Sequence, residues 1–132
     1  TNLSENFSIN ELVDTTLSKN PKKTSEMINE SNYKSEDGIL ILRTFLQKAK
    51  RLHNLYEKQK ENVSLDSLID DYKPPIFWKD KPIIKKQLEN WSKPKIKDLI
   101  ININKTETFL KKGTLIGLML VFNFIYETSN RS

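Results

Sequence analysis

The chain has 132 residues, enough for one domain with a buried core, and none of them is a cysteine. Disulfide frameworks, thiolate metal sites and cysteine nucleophiles are therefore excluded. The formal net charge is +5, yet residues 73–112 alone carry eleven lysines against four acidic residues. A local positive field of this kind attracts phosphate backbones or acidic partners, although a run of lysines also forms an ordinary solvated face.

The first 34 residues predict two short helices. "SINE" at residues 8–11 matches a capping box, with Ser8 as the N-cap and Glu11 three residues later. Asn20-Pro21, a cap followed by a first-turn proline, predicts a second helix that reaches about Asn32. The first of these helices would bury one face, made of Ile9, Leu12, Val13 and Leu17.

The clearest helical pattern covers roughly residues 36–61. Its apolar stripe recurs at spacings of three and four and consists of Ile39, Leu42, Leu46, Ala49, His53 and Tyr56, widened by Phe45 and Leu52. His53 is the only histidine, and nothing nearby in sequence supplies a nucleophile or a second metal ligand, so we interpret it as a packing residue. A short helix capped by Ser64 follows.

The segment "KPPIFWKDKP", residues 73–82, predicts an extended connector because residues before proline avoid the helical region. We expect Phe77 to fold down as a plug over the next helix. Trp78 should then point to the other side, among lysines, where its ring could stack on a nucleic-acid base. The alternative is that Trp78 also belongs to the plug. The predicted DNA contacts are Trp78, Lys79, Lys81, Lys85 and Lys86.

Two further helices are predicted before Gly113. The first begins near Lys81 and would direct Ile83, Ile84, Leu88 and Trp91 inward. Ser92 caps the second, whose apolar stripe is Ile96, Leu99, Ile100, Ile103 and Leu110. Glu107 lies on that stripe four residues before Lys111, the favoured order for a helical ion pair, so we predict that the two are paired.

The last apolar run, "LIGLMLVFNFIY" at residues 115–126, is too short to span a bilayer, which takes about 20 residues. Its length and the helical context predict a helix that packs in the core on one side and leaves part of its surface for neighbouring subunits. The residues predicted to meet such subunits are Leu118, Phe122, Phe124 and Ile125.

Few glycines and no alternating apolar pattern predict an all-α fold. We expect a single helical domain over residues 1–132, an orthogonal bundle of about six or seven helices, with lead-in helices in 1–34 and the main bundle in 35–132. The sequence contains no recognisable catalytic triad, metal cluster or glycine-rich phosphate loop. We therefore expect neither catalytic activity nor a cofactor.

Five stretches between Phe7 and Lys112 carry a family resemblance. They are "FSINELVDTTLSKN", "SEDGILILRTFLQKAKRLHNLYE", "KPPIFWKDK", "LENWSKPKIKDLI" and "TETFLKK". In this order and spacing the chain resembles the C-terminal part of the delta subunit of the bacterial DNA polymerase III clamp loader. Residues 1–34 are similar to the segment that leads from the AAA+ lid region into the third domain of that family.

The resemblance implies an oligomerisation domain of the collar type, in which the C-terminal helical domains of five subunits pack in a ring. The implied partners are the gamma/tau and delta-prime subunits, with primer–template DNA as a further contact. In this family the sliding clamp is opened by the N-terminal domain of delta, which this chain lacks, and delta has no working ATP site.

The resemblance also implies DNA replication in the bacterial cytoplasm, without a membrane. A chain that begins at Thr1 fits a segment of a longer protein. The alternative is a free-standing helical module that binds nucleic acid through residues 73–112. These two hypotheses differ in whether AAA+ subdomains precede Thr1 in the gene.

Overall fold

The computed structural model describes residues 2–34, 36–112 and 117–130, and this part of the chain contains seven helices and no strand. The prediction of an all-α bundle with six or seven helices is confirmed. The helices are α1 (Asn2–Leu17), α2 (Pro21–Glu30), α3 (Asp37–Lys58), α4 (Leu65–Asp70), α5 (Lys81–Asn90), α6 (Lys93–Lys112) and α7 (Gly117–Asn130). Within these ranges, no helix is long and apolar enough to cross a membrane.

Three helix starts follow from local side chains, as the sequence predicts. The Asn20 side chain accepts a hydrogen bond from the Lys23 amide at 3.2 Å at the start of α2, and Pro21 occupies the first turn. Ser64 Oγ accepts from the Ser67 amide at 3.1 Å to begin α4. Ser92 Oγ accepts from the Lys95 amide at 3.4 Å to begin α6. Each hydroxyl or amide oxygen satisfies an amide that has no partner within its helix.

The predicted start of α1 is wrong. The helix already runs from Asn2, so Ser8 lies inside it and does not act as a cap. The Ser8 hydroxyl instead lies 2.8 Å from the hydroxyl of Tyr33, in the connection after α2. The buried face of α1 is the predicted one and consists of Ile9, Leu12, Val13 and Leu17. The capping-box pattern here lies inside a helix and does not mark where the helix begins.

Helix α3 lies at the centre of the bundle, in contact with α1, α4, α5, α6 and α7, and packs most extensively against α6. Its fully buried face is Gly38, Ile41, Leu42, Phe45, Ala49, Leu52 and Leu55. The predicted stripe was therefore rotated, since Ile39, Leu46, His53 and Tyr56 are only half-buried at its edge. Contact with helices on several sides widens the buried face, which a single-stripe pattern does not anticipate.

Helices α5 and α6 bury most of the residues expected of them. Ile84 and Leu88 are buried, as are Ile96, Leu99, Ile103 and Leu110, whereas Ile100 is half-buried. Ile83 is exposed, contrary to expectation, and Gln87 is buried in its place. The Gln87 amide nitrogen donates to the backbone oxygen and to Oδ1 of Asp14, both at 3.2 Å. These bonds offset the desolvation of a buried amide and attach α5 to α1.

The end of α1 is closed by a lysine in a left-handed conformation. Lys19 has φ 56°, and the Lys19 and Asn20 amides donate back to the carbonyls of Thr16 and Thr15, a Schellman arrangement. Glycine is preferred at this position because a Cβ costs about 1–2 kcal/mol there. The Trp91 indole N–H donates to the Leu17 carbonyl at 2.8 Å, so the residue between α5 and α6 completes the end of α1.

The apolar run at 115–126 packs on one side, as predicted for its described part. Val121 and Ile125 are fully buried, whereas Met119 is 71% exposed. The Phe124 ring meets the edge of Phe45 in α3 at a centroid distance of 5.6 Å. Residues 115 and 116 and the predicted helix end at Gly113 lie outside the described residues. One core cluster contains side chains from all seven helices, including α1 and α2 from the predicted lead-in segment.

Candidate interaction surfaces

The connector at residues 73–82 is anchored by apolar side chains and displays its two aromatic rings. Tyr72 and Ile76 are buried, and the Lys58 ammonium lies 5.2 Å from the Tyr72 ring. Phe77 is 58% exposed and Trp78 is 67% exposed. The predicted plug is therefore wrong for Phe77, and Ile76 is the connector residue after the two prolines that joins the core cluster.

The two rings also fail to point to opposite sides. The Asp80 amide donates to the Phe77 carbonyl at 2.9 Å, so the chain turns here instead of remaining extended. This turn brings the ring centroids of Phe77 and Trp78 to 5.9 Å, tilted by 51°. The alternation argument applies to an extended backbone and does not hold across a turn. Phe77 and Trp78 thus form one exposed aromatic pair.

The five predicted DNA contacts divide into three groups. Lys79 lies with its ammonium 5.4 Å from the centre of the exposed Trp78 ring, so these two residues form one site. Lys81 instead pairs with Asp70 at 2.8 Å, and Lys85 pairs with Asp66 at 3.2 Å. Both pairs attach α5 to the acidic side chains of α4. The positive field of these two lysines is partly neutralised within the chain.

Lys86, the fifth predicted contact, lies on a groove between α1 and the start of α5. The groove has a volume of about 610 Å³, and its apolar lining includes the exposed side chains of Phe7, Phe77 and Ile83. Its edge carries two ion pairs, Lys23 with Glu11 at 3.5 Å and Lys48 with Asp14 at 3.1 Å. We call this the aromatic groove. Exposed apolar side chains with polar residues around them are typical of protein contact surfaces.

The predicted interface on α7 is divided by the packing of that helix. Leu118, Phe122 and Phe124 are half-buried, and the Phe122 ring lies 6.1 Å from Tyr33. Ile125 is fully buried within the chain's own core, so it offers no surface to a partner and its prediction is corrected. Phe124 shares a small groove of about 210 Å³ with the exposed Phe109 of α6. Sequence reasoning missed Met119 and Phe109, which stand further out than the residues it chose.

The predicted pair of Glu107 and Lys111 is confirmed, with Nζ 3.6 Å from Oε1. Arg43 of α3 is a second partner of the same carboxylate, at 4.0 Å. The Glu107 side chain is largely buried, whereas both cations are largely exposed. Glu107 therefore joins α3 to α6 at the edge of their contact, a link that no local spacing could reveal.

His53 lies at the edge of the buried face of α3, with its side chain 21% exposed and Nε2 3.5 Å from Glu57. A hydrogen bond from Lys93, whose Nζ lies 3.1 Å from Glu57, is the main cause that lowers the pKa of the Glu57 carboxyl. In the described ranges there is no group of three or more His, Cys, Asp or Glu side chains that could hold a metal ion. The location of His53, mostly buried at the edge of this face, fits a packing role.

Comparisons of the chain with known proteins gave no match. No family model matches it, and no similar protein was found among curated proteins or among solved structures. The functional argument therefore depends on the residues themselves and on the surfaces described above.

Proposed function

We propose that this chain is an assembly domain, the collar domain of a clamp-loader subunit of the delta type, and that it acts by binding other subunits without catalysis. The observation that carries the proposal is the number of large apolar side chains left at the surface of a well-packed bundle. In the described part of the chain they are Phe7, Leu40, Phe77, Trp78, Ile83, Ile101, Phe109 and Met119. Contacts with neighbouring subunits would bury such side chains.

The resemblance supports the choice of assembly. The five motifs that resemble delta fall on α1, α3, the 73–82 connector, α5 with α6, and the last turns of α6. An all-α bundle is the fold expected of a collar domain. The proposed partners are the gamma/tau and delta-prime subunits, in the bacterial cytoplasm, with the sliding clamp contacted by another domain of the parent protein.

Reconstitution tests this proposal directly. The 132-residue chain is mixed at micromolar concentration with the gamma/tau and delta-prime subunits from the same organism, and the mixture is analysed by size-exclusion chromatography with light scattering. We expect a stable complex that resists moderate salt, because the buried surface would be largely apolar. Failure to form any complex, with every component folded, contradicts the assembly function.

Variants of the exposed residues sharpen the test. Phe109→Ser and Met119→Ser should weaken assembly, whereas Lys50→Ala, at an exposed position on α3, serves as the matched control. The domain should remain folded in all three variants because the side chains lie outside the core. Full assembly by the double variant Phe109→Ser, Met119→Ser would show that the surface formed by the end of α6 and the start of α7 is not the contact surface.

A contact with primer–template DNA is the second part of the proposal, favoured by the exposure of Trp78 with Lys79 over its ring. A base can stack on the indole while the ammonium meets a phosphate. Lys81 and Lys85 should contribute less, since each already pairs with an acid of α4. The alternative, a free-standing nucleic-acid-binding module, uses the same residues but predicts DNA binding by the isolated chain.

A further inference from the structure

A small groove lies between α6 and α7, on the side where Phe109 stands out from the surface. Its volume of about 210 Å³ is below the range of about 300–1,000 Å³ that holds small molecules in proteins, so a protein side chain suits it better than a ligand. Phe124, half-buried against Phe45, belongs to its apolar lining. The hydroxyls of Thr106 and Thr128 donate to carbonyls of their own helices, at 2.9 and 2.8 Å, and need no ligand. We call it the α6–α7 groove.

Phe109 belongs to an exposed ridge of α6. Ile101, Lys105 and Phe109 follow one another at intervals of four residues, so they lie on one face of the helix. Ile101 is 51% exposed and Phe109 is 64% exposed, although another face of α6 carries the buried Ile103 and Leu110. An exposed apolar ridge beside an aromatic groove is the kind of surface that contacts between proteins cover.

The charges of the groove are complementary to those of a second copy of the chain. Lys105 is the cation of the α6 wall, and Glu127 is the anion of the α7 wall. Both side chains are exposed, and in the described part of the chain neither has an ion-pair partner. Glu127 accepts one hydrogen bond there, from Asn123 at 3.5 Å. A two-fold axis places the α6 wall of one copy opposite the α7 wall of the other, so that each Lys105 faces the partner's Glu127.

We propose that this chain forms a two-fold symmetric homodimer through the α6–α7 groove, with Phe109 of each copy inserted into the groove of the other. The ring fills a groove too small for most ligands, and the two pairs of Lys105 with Glu127 fix the orientation of the copies. Two helices a side make a small contact, so the dimer forms at micromolar concentration and dissociates on dilution. It is measured with this chain alone and does not rest on the proposed function, so either can fail without the other.

Sedimentation equilibrium of the 132-residue chain over a concentration series tests the dimer. Lys105→Glu and Glu127→Lys should each weaken it at least about tenfold, because like charges then face one another across the interface. An equimolar mixture of these two variants should recover a dimer, since each altered side chain then meets the opposite charge on the other copy. Association through apolar side chains without this orientation would not show the recovery.

Two further variants complete the test. Lys97→Glu makes the same charge change at an exposed position of α6 outside the groove and should dimerise normally. Phe109→Ser should abolish the dimer and keep its helical circular dichroism, because the side chain lies outside the core cluster. A chain that stays monomeric throughout the series, a mixture of charge variants that does not recover, or normal dimerisation of Phe109→Ser overturns the proposal. A monomeric chain that joins other subunits through Phe109 would assign the groove to one of them instead.

Discussion

The two tryptophans of this chain have similar neighbours and opposite environments. Each has a lysine ammonium over its ring, Lys79 for Trp78 and Lys19 for Trp91. Trp91 is half-buried and its indole N–H donates to the carbonyl of Leu17, whereas Trp78 is 67% exposed. The difference lies in the partner available to the indole. A helix end leaves carbonyls without intrahelical partners, and Trp91 reaches one of them.

This comparison separates a structural aromatic residue from one available to a ligand. A lysine beside a tryptophan does not distinguish them, because both have one. Hydrogen bonding and burial do distinguish them, since Trp91 joins the α5–α6 connection to α1, whereas Trp78 forms an exposed pair with Phe77. Substitutions at each position should therefore affect different measurements.

Replacement of Trp91 should have the largest effect on stability. Trp91→Ala is expected to lower the free energy of unfolding by about 3 kcal/mol, since it removes a large packed ring and leaves the Leu17 carbonyl without its donor. Urea denaturation followed by circular dichroism measures the change. Trp91→Phe is the matched control and should lose only about 1 kcal/mol, because the ring is kept and the donor is lost. No loss in Trp91→Phe would contradict the role of the indole N–H, and equal losses in both variants would contradict the contribution of the packed ring.

Tyr56 should have the next largest effect, because its hydroxyl connects α3 to the end of α5. The hydroxyl lies within hydrogen-bond distance of the Leu88 and Trp91 carbonyls, 2.5 and 2.6 Å away. Tyr56→Phe is expected to cost about 1–2 kcal/mol of unfolding free energy, the usual effect of removing one partner of such a bond. The urea midpoint should fall with an unchanged m-value if the fold is kept.

The same residue gives a pH dependence with a defined sign. Burial raises the pKa of Tyr56 to about 12 from its ordinary value of 10.0. The folded state therefore holds this proton more tightly. The contribution of Tyr56 to the free energy of unfolding is complete below pH 10 and is lost as pH rises towards about 12. After allowance for solvent screening the loss should be about 1 kcal/mol. Tyr56→Phe should remove that part of the alkaline decline, and an unchanged decline would show that other groups cause it.

Replacement of Trp78 should leave stability almost unchanged and alter binding. Trp78→Ala is expected to shift the unfolding free energy by less than about 0.5 kcal/mol, as for exposed positions. Primer–template affinity of the proposed clamp-loader assembly should fall about tenfold, since stacking of one base is worth roughly 1–3 kcal/mol. Fluorescence anisotropy with labelled DNA measures it, and Phe77→Ala tests whether the pair acts as a unit. Unchanged DNA affinity in a folded Trp78→Ala loader would contradict the DNA contact.

The smallest effects are expected from the lysines of the connector. Lys79→Ala should leave folding unchanged and reduce the salt dependence of DNA binding by about one phosphate contact. Lys81→Ala should alter that slope less, because Lys81 pairs with Asp70 at 2.8 Å. Equal slopes for these two variants and for the unmodified loader would show that the lysines of this connector do not meet phosphates.

Local signals in the sequence were informative at most helix starts, although the capping box at Ser8 did not mark the start of α1. Asn20, Ser64 and Ser92 each cap the predicted helix, since cap chemistry involves residues only three positions apart. The Glu107–Lys111 pair was found in the same way. The exposure of Phe77 was not predicted. The prediction assumed an extended backbone, along which side chains alternate between two sides, but residues 77–80 form a turn.

Long-range contacts account for the remaining errors and omissions. Lys81 and Lys85 were predicted as DNA contacts, but in the fold they pair with Asp70 and Asp66. The Trp91–Leu17 bond and the Gln87–Asp14 bonds join residues more than 70 positions apart, so no spacing rule could suggest them. The Ile125 prediction failed for a related reason, since an apolar run does not reveal which of its residues face the bundle.

The contacts of Asp14 make the local unfolding of three helices interdependent. Its carboxylate accepts from Lys48 of α3, and the same residue accepts from Gln87 of α5 through both its side chain and its backbone oxygen. Three helices far apart in sequence therefore share one anchoring residue. Displacement of α1 leaves Lys48 and Gln87 without this partner, and displacement of α3 or α5 removes one partner of Asp14. We expect α1, α3 and α5 to form one cooperative unit in native-state hydrogen exchange, with amide protection lost together.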